Sequence, residues 1–130
     1  MTQQACPLWV PLVENDETHS AGAAYFVRDS LGRLFAQDEK IDTLLLGCTH
    51  YPLLLPFPAD ALPTHVKIVE QGGIVAKSLA DYLRRHSEMK SRLRRGSKRI
   101  FLTTGDAEDF STAAMRFYGE KIMAQRVELQ

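Results

Sequence analysis

Residues 41–55, IDTLLLGCTHYPLLL, constrain the fold more than any other stretch of the chain. A short apolar run, 43–46, meets Gly47, and Cys48, Thr49 and His50 follow before a second apolar run broken by Pro52. A continuous apolar run bounded by glycine is how a strand buried on both faces of a parallel sheet reads. The reactive side chains then sit in the turn at the strand's carboxyl end, where open α/β sheets bind ligands. A buried free cysteine usually behaves as a small hydrophobe. Here histidine stands two positions on, and a helix start just beyond would favour the thiolate, so Cys48 reads as a candidate reactive thiol.

The rest of the chain supports an α/β reading. With 130 residues there is enough material for one domain with a modest core. Lys plus Arg and Asp plus Glu each total 16, so net charge argues for no nucleic-acid, membrane or acidic partner. Only two cysteines occur, and no long apolar run or charged leader is present, which makes a reduced, cytoplasmic protein without a membrane span the expectation. Further strands are expected at 66–69 and 100–103, with helices at 21–36, 74–83 and 108–118. Together these make a short, mainly parallel sheet with flanking helices.

Several details accompany that outline. Pro7 and Pro11 predict a proline-shaped extended segment or turn at 8–13, with Trp9 and Val10 as core candidates. Residues 15–20 form a polar loop in which Ser20 caps the following helix, whose buried stripe is Ala24, Val27, Leu31, Leu34 and Phe35. Pro56, Pro58 and Pro63 shorten or bend any helix after residue 51. Gly72 and Gly73 suit positive φ or close backbone approach. Val75, Leu79, Tyr82 and Leu83 form an apolar helix side, and Asp106 and Gly119 cap and stop the last helix, ahead of an irregular strand over 122–129.

Residues 84–99 hold eight Lys or Arg and one acid, Glu88. No aromatic interleaves with the charges, so nucleic-acid binding is not expected, and a solvated helix end or a charged contact surface are the two readings. Cys6, His19, Cys48 and His50 are too scattered for zinc, so no metal is expected. A serine-nucleophile elbow is lacking. On the residues alone Cys6 reads as structural and Glu14 as a solvated carboxylate.

GCTHYPLL at 47–54 resembles the second catalytic-cysteine motif of the glutamate racemases. CPLWVPLVE at 6–14 resembles the segment upstream of it, and LTTGD at 102–106 continues the likeness in family order over nearly the whole chain. Aspartate racemases share the fold and the two-cysteine logic, but the long proline-containing motifs fit the glutamate enzyme better. The resemblance implies part of a two-domain aspartate/glutamate racemase fold that works without a cofactor. Its catalytic residues would be Cys48, His50 and Glu14, with Thr49 binding the substrate glutamate.

A counterpart of the family's first cysteine is not found, so the resemblance implies the carboxyl-terminal half. Residues 1–70 would belong to the second domain and residues 71–130 would return to the first. Its partners would be the missing amino-terminal half or, in a homo-oligomer, further copies. The alternatives are an aspartate racemase relative or an inert interaction module using residues 84–99.

Overall fold

The computed structural model describes every residue except Ala59, Arg95, Ser97 and Gln130. The element order is α1 (Trp9–Glu14), α2 (Ala21–Phe35), β1 (Thr43–Leu45), a 3-10 helix (Tyr51–Leu54), β2 (Lys67–Val69), α3 (Gln71–Arg85), α4 (Ser87–Arg92), β3 (Phe101–Thr103), α5 (Ala107–Tyr118) and β4 (Ala124–Arg126). The chain is therefore α/β, with the three expected strands and the three expected long helices in place. It divides into two compact units, Met1–His86 and Ser87–Gln130.

In the first unit β1 and β2 pair in parallel, with Thr43 opposite Lys67, Leu44 opposite Ile68 and Leu45 opposite Val69. Leu46 extends the ladder by donating its amide to the Val69 carbonyl at 3.0 Å. The core gathers Cys6, Trp9 and Val13 from the α1 region, Ala23, Val27, Leu31 and Leu34 from α2, and Leu44 and Leu46 from the strand. Leu54, Phe57, Ala61 and Val66 close it from the connection between the strands. Ser20 caps α2 as expected, its hydroxyl accepting the Ala23 amide at 3.0 Å.

The segment expected over 8–13 as a proline-shaped extended piece or turn is instead the helix α1 from Trp9, with a turn only at 7–8 ahead of it. Pro11 lies in the first turn of α1, where an amide has no intrahelical acceptor and proline costs nothing in hydrogen bonds. The resulting helical spacing buries Trp9 and Val13, while Val10, the other expected core residue, is only half-buried. In α2 the buried alanine is Ala23, and Ala24 is turned partly outward. Gly72 and Gly73 lie in the first turn of α3 with ordinary helical φ, so the freedom of glycine is not used there. Among the described residues of the proline-rich connection 51–66 the 3-10 helix is the one helical element, in keeping with its expected shortness.

None of the fifteen residues of α3 is buried. Its apolar side is present as expected, yet Ile74, Val75, Leu79 and Tyr82 are all exposed, Val75 at 61%. At its end Arg84 and Arg85 both hold Asp81, at 2.6 and 2.8 Å. Such exposed helix pairs are worth only a few tenths of a kcal/mol each, roughly 0.3–0.5.

The second unit is smaller. β3 and β4 pair in parallel, Phe101 opposite Ala124 and Thr103 opposite Arg126, so the irregular strand expected over 122–129 is regular at its centre. Asp106 caps α5 by accepting the Glu108 and Asp109 amides at 2.8 Å, and Gly119 ends it at φ 76°, both as expected. Ser111 donates to the Ala107 carbonyl at 2.6 Å and accepts the Ala124 amide at 2.9 Å, tying α5 to β4. Arg99 pairs with Glu120 at 3.0 Å and with the Tyr118 hydroxyl. Of the basic stretch, Arg95 and Ser97 lie outside the described residues. Among the described residues no helix is long and apolar enough to cross a membrane.

Trp9 carries the tightest prediction of the fold, because it is 2% exposed and packs on both Tyr51 and Phe57. Trp9→Ala is expected to cost about 3–5 kcal/mol. Urea unfolding followed by far-ultraviolet circular dichroism measures it, and a loss under about 1 kcal/mol would contradict the packing described.

Candidate functional site

Leu46 is the last residue of β1's ladder, and Gly47 begins the turn that presents Cys48, Thr49 and His50. Tyr51 donates its amide to the Cys48 carbonyl at 3.3 Å and Leu53 to that of His50 at 2.9 Å. Pro52 sits at the start of the 3-10 helix, where its missing amide donor is harmless. This winding turns the side chains of Cys48 and His50 toward each other, with Cys48 Sγ 3.9 Å from His50 Nδ1. His50 is partly buried and Cys48 half-buried.

Glu14 reaches the same place from 36 positions away, its Oε1 lying 2.6 Å from His50 Nε2. It is the last residue of α1, and α1 is held by aromatic packing rather than by the ion pair. The Trp9 and Tyr51 rings meet edge to face at 4.8 Å and 66°, and Trp9 also packs on Phe57 at 5.6 Å. Trp9 Nε1 donates to the Phe26 carbonyl at 3.4 Å, and the Tyr51 hydroxyl donates to the Cys6 carbonyl at 3.5 Å. These contacts place the end of α1 against the residue just before Tyr51, which is His50.

The result is an ordered line of Sγ, imidazole and carboxylate. A carboxylate only accepts, so with Glu14 ionised the Nε2 atom carries a proton and donates it. In the neutral ring Nδ1 then holds its lone pair toward the Cys48 thiol. A carboxylate behind an imidazole whose other nitrogen faces a thiol is an arrangement that can activate the thiol as a base or nucleophile. Thr49 is exposed between Cys48 and His50. Cys48, His50 and Glu14 are thus brought together, and Thr49 stands beside them.

Cys6 is a different kind of thiol. It is buried, its Sγ donates to the Gln4 carbonyl at 3.6 Å, and burial pushes its pKa up despite a hydrogen bond with Ser30 that works the other way. Burial also raises the Tyr51 phenol, and the nearby Cys6 and Cys48 add to the shift. Tyr51 was not singled out from the sequence as part of the site, although its place directly after His50 could have drawn notice. Among the described residues no three His, Cys, Asp or Glu side chains come together as a metal-binding set. An apolar groove lined by Leu55, Phe57, Leu62 and Ile68 contains none of the line's side chains.

Comparison with known proteins gives a consistent result. No family model matches the chain. The glutamate racemase of Streptococcus sanguinis is 34% identical over 125 residues, 96% of this chain and 46% of that protein. The glutamate racemase of Streptococcus pyogenes serotype M49 is 36% identical over the same coverage. Among solved structures, glutamate racemase isoform RacE1 from Bacillus anthracis superposes with a TM-score of 0.81 at 34% identity, over 97% of this chain and 46% of that one. Glutamate racemase from Thermus thermophilus, in complex with β-chloro-D-alanine, gives 0.77 at 33%, over 97% and 47%. The chain is homologous to glutamate racemases and spans about half the length of the curated relatives it matches.

The Cys6 environment makes a pH prediction. A thiol has an unperturbed pKa of about 8.5, and the folded chain holds Cys6 above its ordinary value. The unfolded chain therefore loses this proton first as pH rises, so stability is full below the unfolded pKa and falls as pH climbs toward the folded one. Denaturant titrations above about pH 8.5 should show the wild type losing stability more steeply than Cys6→Ala. Equal slopes would show that Cys6 does not titrate differently in the two states.

Proposed function

We propose that this chain is the carboxyl-terminal half of a cofactor-independent glutamate racemase, carrying one of its two proton-transfer thiols. The observation that carries the reading is the line Cys48–His50–Glu14, built from the two segments whose sequences resemble the family's motifs. Homology to glutamate racemases over about half their length supports it.

Racemisation inverts Cα through a planar carbanion, so one group removes the proton and another returns one on the opposite face. Cys48 is the base for one enantiomer and the acid for the other. His50 supports the thiolate and takes part in proton exchange beside it, while Glu14 keeps the ring oriented. Thr49 meets the substrate carboxylate. The carbanion is stabilised by charge and hydrogen bonding alone, because no cofactor enters this reaction. The second thiol belongs to the amino-terminal half, which is also the partner that covers the apolar side of α3. Residues 1–70 complete the second domain and residues 71–130 return to the first. In the cell the D-glutamate formed supplies peptidoglycan synthesis in the cytoplasm.

The test uses a full-length racemase carrying this segment, incubated with L-glutamate or L-aspartate in deuterated water. Glutamate should racemise, with Cys48→Ser lowering turnover by about a hundredfold or more. A preference for aspartate overturns the substrate assignment. The 130-residue chain alone should form no D-glutamate, because a proton acceptor misplaced by about 1 Å already costs roughly a hundredfold. Sustained D-glutamate formation that depends on both Cys48 and Cys6 would overturn the half-site reading.

A further inference from the structure

Racemisation needs groups on two faces of a carbanion, but nucleophilic attack on a carbonyl needs them on one. The first unit holds such a set: a half-buried thiol, an imidazole nitrogen 3.9 Å from it, and a carboxylate 2.6 Å from the ring's other nitrogen. Nucleophile, base and orienting group in that order are the arrangement of an activated thiol nucleophile, and the thiol–base distance is often looser than a full hydrogen bond before substrate arrives. We propose that Cys48 of this chain accepts acyl groups from small activated esters and thioesters, with His50 as general base and Glu14 as a positioning residue. The inference uses the same side chains as the racemase reading but does not depend on it.

The step balances without a further reagent. His50 Nδ1 takes the thiol proton, and the sulfur lone pair forms a carbon–sulfur bond at the acyl carbon. The bond from that carbon to the leaving oxygen or sulfur breaks, and its electron pair departs with the leaving group. That group, or the solvent, then takes the proton from the imidazolium. The product is a Cys48 thioester and the free alcohol, phenol or thiol. Cys6 has none of these partners. It is buried, and its thiol donates to a backbone carbonyl.

The two cysteines of one chain therefore provide an internal comparison. The chain is treated with 4-nitrophenyl acetate near neutral pH, 4-nitrophenol release is followed by absorbance, and the acetylated cysteine is located by peptide mass spectrometry. Cys48 should be acetylated ahead of Cys6 and faster than N-acetylcysteinamide at the same pH. His50→Gln should slow acetylation at least about tenfold, the lower side of what a positioned base supplies. Glu14→Ala should slow it by a smaller factor, with circular dichroism and Trp9 fluorescence confirming that each variant is folded.

Acetylation of Cys48 no faster than N-acetylcysteinamide overturns the proposal without any variant. A folded His50→Gln chain that reacts at the wild-type rate also overturns it. The two readings fail separately: a full-length enzyme that does not racemise glutamate removes the racemase assignment and leaves the acyl acceptor standing. An unreactive Cys48 in an enzyme that racemises removes only the acyl acceptor.

Discussion

The edge-to-face contact of Trp9 with Tyr51 is the interaction on which the site depends. An exposed carboxylate and a partly exposed imidazole 2.6 Å apart have little capacity to hold two segments together, because water competes for both. The buried indole does have it, since aromatic burial is worth several kcal/mol where a surface ion pair gives about 0–1. The order of causes therefore runs from packing to chemistry. Trp9 seats α1 on the 3-10 helix, α1 ends at Glu14, and Glu14 meets the histidine that precedes Tyr51.

The prolines serve the same geometry. Pro11 sits where α1 has a spare amide position, and Pro52 takes such a position as the second residue of the 3-10 helix. Both short helices thus carry in their first turn a residue that cannot continue a sheet ladder. The turn between β1 and Tyr51 is short enough that two side chains spaced by two residues face one another. A longer regular helix is unnecessary for this, because the needed precision comes from the strand end on one side and the buried aromatic pair on the other.

Which parts of this were legible beforehand follows from the range of the forces involved. Strands and long helices are written in local apolar periodicity, and the Ser20, Asp106 and Gly119 caps in single residues, so those elements were readable. The helix over Trp9–Glu14 was not, because two prolines in seven residues argue against regular structure unless one knows that the second falls in a first turn. Ala23 rather than Ala24 is buried because neighbouring alanines are equivalent in composition, and only the packing partner chooses between them. The meeting of Glu14 with His50 spans 36 positions, and periodicity has no term for it. The resemblance of residues 6–14 and 47–54 to racemase motifs suggested that the two residues share a site, but not that Trp9 and Tyr51 hold them there.

The uncovered faces complete the physical picture. A parallel strand is normally covered on both sides, yet Leu45 is 61% exposed in β1, and Ile100 and Leu102, beside and in β3, are exposed as well. Helix α3 repeats the pattern: fifteen residues with a continuous apolar side and not one of them buried. Hydrophobic burial drives folding, and a contiguous exposed apolar side of this length is unusual on a soluble surface. The contrast within the first unit is informative. Trp9, Val27 and Leu31 reach nearly complete burial and need nothing more, whereas α3 contributes its polar Asp81 to two surface ion pairs and none of its apolar side chains to the core. The chain spans about half the length of its relatives, and its first unit combines a well-buried core with an apolar helix side left exposed. The Cys48–His50–Glu14 line, by contrast, is set entirely within the first unit and draws on none of these exposed apolar side chains.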